Sequence, residues 1–310
     1  MNRRNLILGT TGLALGIAGC SNNSDSPSKP NPKKITLDDC PALKAYIRSL
    51  CSIPEGNFLM GSRTSEYAHE ESPVHRVPIS AFRMGKTPVT VAMWEEYVSH
   101  SDVSMPPEPD PEFDGARKFN VGWVDKDHPI VNVNWEECKG FATWASEVSG
   151  VKLTLPSEAR WEYACRGGRE GLKYPWGNDF DRSKLLCSGE KLGDRGSTGS
   201  VDRRVDIWSN HPWGLIDMVG NVWEWCEDWY DSNWYKIPQS QEKDVVNLDS
   251  SPTVKVKYIS GESDSGPTRC ARGGSWYYVN PDYFRCANRG RGNPDLRGYN
   301  VGFRLSAGPK

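Results

Sequence analysis

Trp135, Cys138, Phe141, Ala142, Ala145 and Val148 recur at three-to-four spacing, the period that lines one face of an α-helix. Asn134 precedes them with Glu137 three residues on, a capping-box pattern, and Gly150 stands where that helix would stop. A second helix is predicted from the cap Ser157, after Pro156, through Trp161, Ala164 and Cys165 to Gly167 and Gly168. A weaker periodicity runs from Thr90 to His100, with Val91, Trp94, Tyr97 and Val98 on one side. Elsewhere the apolar runs are short and broken by Gly, Pro, Asn and Asp. Ile130–Val133, Thr253–Tyr258 and Val301–Leu305 read as strands, and the polar stretch 240–265 reads as an insertion.

Composition sharpens this pattern. The 310 residues include 30 Gly, 22 Pro and 13 Trp, too many turn formers for a helical bundle and too many aromatics for disorder over most of the chain. An irregular, loop-rich α+β domain packed around indoles is expected. Lys and Arg total 38 against 40 Asp and Glu, a net charge of −2, which sets aside nucleic-acid binding through a basic surface. The histidines (His69, His75, His100, His128, His211) are scattered and no CxxC occurs, so a zinc site or a redox motif is not expected.

Residues 1–20 read as a secretion signal: a basic start, then an apolar run too short and Gly-rich to span a bilayer of about 30 Å. Ile17-Ala18-Gly19-Cys20 resembles a bacterial lipobox, in which Cys20 is acylated. Arg3-Arg4 before Asn5-Leu6-Ile7-Leu8 resembles a twin-arginine signal. Ser21, in place of an inner-membrane retention aspartate, points to the outer membrane and the cell surface, reached by the Sec or twin-arginine route. Residues 21–38 are expected to form a disordered tether, because Ser21 to Lys34 holds no large apolar residue; the globular part begins near Ile35 and the domain proper is placed at 39–310. Eight further cysteines (Cys40, Cys51, Cys138, Cys165, Cys187, Cys226, Cys270, Cys286) suggest disulfides in an exported chain, with Cys40–Cys51 as a local candidate.

Four segments then carry a family resemblance: Leu155-Pro-Ser-Glu-Ala-Arg-Trp-Glu-Tyr-Ala164, Tyr174-Pro-Trp-Gly177, Gly214-Leu-Ile-Asp-Met-Val-Gly-Asn-Val-Trp-Glu-Trp225, and Arg272-Gly-Gly-Ser-Trp276 with Gly302-Phe-Arg304. In order, over roughly 52–305, they resemble the formylglycine-generating-enzyme (sulfatase-modifying factor) domain. The resemblance implies a variant of the C-type-lectin fold. It also implies two copper(I)-binding cysteines shortly after the Gly-Gly-Ser, since soft thiolates select that ion. Here the first place falls near Tyr278 and the second near Asp282 or Tyr283, so no catalytic residue is assigned and formylglycine chemistry is not expected. The resemblance further implies a Cys165–Cys286 disulfide. It also implies a structural calcium held by the side chains of Asp217 and Glu224 and the carbonyls of Gly220 and Val222, hard oxygen ligands that suit that ion. Trp223 and Trp225 beside it are expected in the core.

From Tyr277 to Arg304 the chain has no Lys, Glu, Gln, Met or Trp. Tyr277, Tyr278, Val279, Asn280, Asp282, Tyr283, Gly290, Arg291, Gly292, Asn293, Leu296, Gly298, Tyr299 and Asn300 all belong to the set reached when both adenines of an AAC codon are randomised. Position and residue set resemble the variable region (276–304) of target proteins of diversity-generating retroelements, which display such residues on this lectin-like scaffold. Tyr277, Tyr278, Tyr283 and Tyr299, with Arg291, are the expected anchors, because Tyr offers large amphipathic contact area at low rotamer cost. Arg285, Arg289, Arg297 and Arg304 are expected to hold the scaffold through carbonyls and carboxylates. The function expected is a non-catalytic lipoprotein, anchored to the membrane through Cys20, that binds a protein or cell-surface ligand. The alternatives are an exported enzyme of the same superfamily with other oxidative chemistry, or a periplasmic regulator.

Overall fold

The computed structural model describes residues 35–63, 69–110, 118–189, 196–202, 211–250 and 266–310. The predicted signal, Cys20, most of the tether and the predicted strand at 253–258 lie outside the described residues. The part of the tether that is described, 35–38, is not a free linker: Ile35 and Leu37 pack against the core, and Thr36 caps a short 3-10 turn.

The helices are α1 (Pro41–Arg48), α2 (Val91–Ser99), α3 (Trp135–Ser149) and α4 (Glu158–Arg166). The α3 cap is the predicted one: Asn134 Oδ1 accepts from Glu137 N at 2.9 Å, the Glu137 carboxylate accepts from Asn134 N at 3.0 Å, and Gly150 ends the helix at φ 69°. Ser157 caps α4 by accepting from Arg160 N at 3.2 Å, and Gly167 closes it at φ 60°. α1 carried no clear sequence signal. Trp94 of α2 stacks on Phe141 of α3 at 5.5 Å, and Phe303 meets both edge-on at 6.1 and 5.5 Å. Each such buried ring contributes on the order of 3 kcal/mol by leaving water.

Among the described residues ten short strands form three sheets. β1 (Cys51–Ile53), β4 (Phe82–Met84), β5 (Leu153–Thr154) and β10 (Ser306–Ala307) make one, in the order β1-β4-β10-β5, so the C-terminal strand closes beside the N-terminal ones. β2 (Gly56–Met60) pairs with β3 (His75–Ile79) in a two-stranded sheet. The third sheet, β8-β7-β6-β9, uses β6 (Trp223–Trp229), β7 (Arg269–Arg272), β8 (Gly290–Gly292) and β9 (Val301–Gly302). Val301–Leu305 is a strand only in its first two residues. Ile130–Val133 is buried but not a strand. Asn132 turns left-handed at φ 59°, and the segment's backbone bonds go to Val89, Gly298 and the side chains of Trp225 and Arg297.

Candidate binding face

The segment after β7 is pinned at both edges of the third sheet, through β8 beside β7 and β9 beside β6. Gly273 and Gly274 leave β7 at φ 102° and 70°; a Cβ on Gly274 would sit 2.8 Å from Phe284. This turn delivers Trp276, whose backbone N–H bonds Asn221 O at 2.9 Å. Ser188 then clamps the next residues, with Oγ donating to the carbonyls of Trp276 and Tyr277 at 3.0 and 2.8 Å and its N–H to that of Tyr278 at 3.0 Å.

The four tyrosines form one contiguous aromatic cluster. Tyr278 stacks on Tyr283 at 4.1 Å, Tyr277 meets Tyr278 at 5.4 Å and Tyr299 at 6.0 Å, and the cluster rests on Trp223 and Trp276. It is not presented outward as expected. Tyr277 and Tyr278 are 8% and 9% exposed, because the Ser188 clamp draws their backbone against the core. Only Tyr283 and Tyr299 reach the surface in part.

Several other predicted contact residues belong to the frame. Arg291 is engaged by Glu70 at 3.1 Å and lies over the Tyr230 ring at 4.6 Å, with its side chain 11% exposed. Gly290 and Gly292 are buried because Trp223 and Trp225 lie against them: a Cβ on either would come within 2.7 Å of the indole. Asn300 is buried and donates to Ser275 Oγ at 3.0 Å. Val279, Asn280, Asp282, Tyr283, Asn293, Leu296, Gly298 and Tyr299 keep partial or full exposure and make up the outer face.

The predicted scaffold arginines do hold the frame. Arg285 forks onto Glu71 at 2.6 and 2.8 Å. Arg289 forks onto Glu158 at 2.8 and 2.9 Å and donates to the carbonyls of Glu70 and Asp231. Arg297 forks onto Glu137 at 2.7 and 2.6 Å, and Arg304 onto Glu224 at 2.7 and 2.6 Å. Arg272, which the sequence reading left without a role, joins Glu162 at 2.5 Å and the Cys286 carbonyl. Burial opposes charge on Glu158, yet Arg289 and Arg272 outweigh it and hold the carboxyl below its ordinary range. Glu158 and Glu162 stand one turn apart on α4, so the i, i+4 spacing alone placed both on one face; their partners were not readable from it.

Of the four implied calcium ligands, the two carboxylates are engaged by neighbouring side chains. Both Glu224 oxygens are taken: Oε2 accepts from Arg304 Nε and Trp161 Nε1 at 2.7 Å each, and Oε1 from Arg304 Nη2. Asp217 Oδ2 accepts from Asn221 at 2.9 Å, and Arg304 also donates to the Asp217 carbonyl at 3.1 Å. The Arg304 guanidinium already balances the Glu224 charge. Among the described residues no group of three or more His, Cys, Asp or Glu is arranged to hold a metal. Trp223 and Trp225 are buried core, as expected.

Cys165 and Cys286 are neighbours and both fully buried, the one on α4 and the other in the C-terminal segment.

Residues 40–307 match the sulfatase-modifying factor enzyme 1-like domain. The chain belongs to this family. It is 29% identical over 301 residues to the formylglycine-generating enzyme of Bos taurus, covering 82% of this chain and 73% of that protein. It is 31% identical over 268 residues to the serine/threonine-protein kinase pkn1 of Chlamydia caviae, covering 83% of this chain but only 38% of the kinase's length. Among solved structures, PvdO from Pseudomonas aeruginosa superposes with a TM-score of 0.64 at 22% identity, covering 84% of this chain and 94% of that one. Treponema denticola variable protein 1 does so at 0.56 and 23%, covering 84% and 95%. The fold is the C-type-lectin-like fold of the formylglycine-generating-enzyme subtype, mixed α+β and rich in loops.

Proposed function

We propose that this member of the family is a non-catalytic binding protein, anchored at the outer membrane through a lipid on Cys20, whose diversified C-terminal face contacts a protein or cell-surface ligand. One observation carries the reading. Where the resemblance places the first copper thiolate there is Tyr278, its ring stacked on Tyr283 and edge-on to Trp223. Phenol rings offer a copper(I) ion no soft ligand. A rigid frame beneath a row of half-exposed Val, Asn, Asp, Leu and Tyr side chains suits recognition, in which Tyr supplies area and Asn adaptable polar contacts.

The contact face is narrower than the residue set suggested, and runs over Val279–Tyr283 and Asn293–Tyr299. The test is to sequence the 3′ coding end in sibling isolates. Substitutions are expected at the codons of Val279, Asn280, Asp282, Tyr283, Asn293, Leu296 and Tyr299, and none at Arg285, Arg289, Arg297 or Arg304. A uniform sequence across isolates, or bound copper with oxygen uptake by the purified chain, overturns the reading.

A further inference from the structure

A cleft of about 530 Å³ opens on the molecule between the end of β2, the loop after α4 and the segment at Arg285 and Ala287. That volume is in the range of small-molecule sites. Its walls are apolar at Leu59, Val74, Leu172 and Ala287, its charged lining residues are Arg63, Lys173, Arg166 and Arg285, and among the described residues no carboxylate lines it.

The four cations divide by depth. Arg166 and Arg285 are buried, and Glu162 and Glu71 already neutralise them. Arg63 is exposed and has no ion-pair partner among the described residues. The Lys173 side chain is 40% exposed, with its ammonium 3.8 Å from Asp282 Oδ1, too long for a direct hydrogen bond. The cleft therefore combines an apolar interior with positive charge that the neighbouring carboxylates Glu71, Glu162 and Asp282 leave partly unanswered. A neutral apolar ligand would forgo that charge, and a cation would be repelled by it.

We propose that this cleft binds a small amphipathic carboxylate, with its apolar body against Leu59, Val74 and Leu172 and its charge at Arg63 and Lys173. The site adjoins the outer face of the C-terminal segment at Asp282, and the proposal does not depend on how that face is read. Asp282 is the link between the two regions: it competes with the ligand for Lys173.

Calorimetric titration of the full chain with octanoate tests this, with octyltrimethylammonium as the charge-reversed probe. Octanoate is expected to bind and the ammonium probe not to. The double variant Arg63→Gln/Lys173→Gln, which alters side chains that pack little of the core, is expected to weaken octanoate binding tenfold or more with an unchanged melting curve. Asp282→Asn is expected to tighten it severalfold. Equal uptake of both probes, no uptake of octanoate, or unchanged affinity in either variant overturns the proposal.

Discussion

The stretch from Gly273 to Arg304 contains two populations of side chains that alternate along the chain and differ in almost every physical respect. The inner ones, Arg285, Arg289 and Arg304, are 2%, 5% and 0% exposed, and each closes on a carboxylate far away in sequence. The outer ones, from Val279 to Tyr283 and from Asn293 to Tyr299, stand half-buried or exposed on the loops between β7, β8 and β9. Loop shape is therefore set by Glu71, Glu158 and Glu224, which lie outside the stretch. Apart from Asp282, which also pairs with Arg285 at 3.2 Å, and the rings of Tyr283 and Tyr299, the outer side chains take little part in what holds them in place. Between its short strand pairings at β8 and β9 the stretch keeps one conformation because guanidinium groups satisfy carbonyls of the stretch and of its neighbours.

The largest break in that contrast comes from Arg304→Met. Glu224 is fully buried, and burial already pushes its carboxyl up despite Arg304. Without the guanidinium its remaining side-chain hydrogen bond among the described residues comes from the Trp161 indole, with Asp217 nearby, and the carbonyls of Ile216 and Asp217 lose a donor. Removing one partner of a buried pair costs about 3–5 kcal/mol. Denaturant unfolding of the purified domain should show a loss of that size. A loss under about 1 kcal/mol would mean that the frame rests on packing alone.

The frame was only half legible in the sequence. Local signals carried through: Asn134, Glu137 and Gly150 fix α3 by chemistry that lies within four residues of each end. The arginines were recognisable as scaffold by their place among family residues, but their partners were not, since Arg285 reaches Glu71 across more than two hundred residues. The outer face was overestimated for the same reason. Residue type marks Tyr277, Tyr278, Gly290, Arg291 and Gly292 as exchangeable. Only the fold shows that a serine clamp buries the first two, that Glu70 holds Arg291, and that two indoles occupy the space beside the glycines. Ile130–Val133 misled similarly, because a buried apolar run is not a strand once Asn132 turns left-handed.

A second, pH-dependent effect separates frame from face. Burial, with Glu158 adding to it, pushes Asp228 up to about 7 from 3.8. Between those values the folded protein holds a proton that the unfolded chain has released. Stability therefore falls as pH rises through this window, by up to about 1.4 kcal/mol per unit. His211 acts oppositely: burial lowers it to about 4 from 6.5, so the unfolded chain binds more protons between those values and stability rises with pH. Asp228→Asn should remove the falling component, leaving a difference curve between wild type and variant that slopes from about pH 4 to pH 7. Parallel stability curves would place the proton elsewhere. Changes on the outer face should leave this difference curve untouched.

The smallest effect is the one that tests the face itself. Tyr299 meets Trp276 and Tyr277 at 6.0 Å each and is otherwise partly open to solvent, so Tyr299→Ser should cost about 1 kcal/mol, the worth of aromatic edge contacts. Gly292→Ser adds no more polarity and belongs to the same adenine-derived residue set. Its new Cβ, however, would lie 2.7 Å from the Trp225 ring and 2.9 Å from Leu296, and overpacking of that kind costs about 1–3 kcal/mol. Paired thermal melts decide between the two. If the glycine variant loses more stability than the tyrosine variant, diversity is confined to the outer row and β8 is frame. If the order reverses, Tyr299 is itself a structural ring, and the exchangeable surface shrinks to Val279–Tyr283 and Asn293–Leu296.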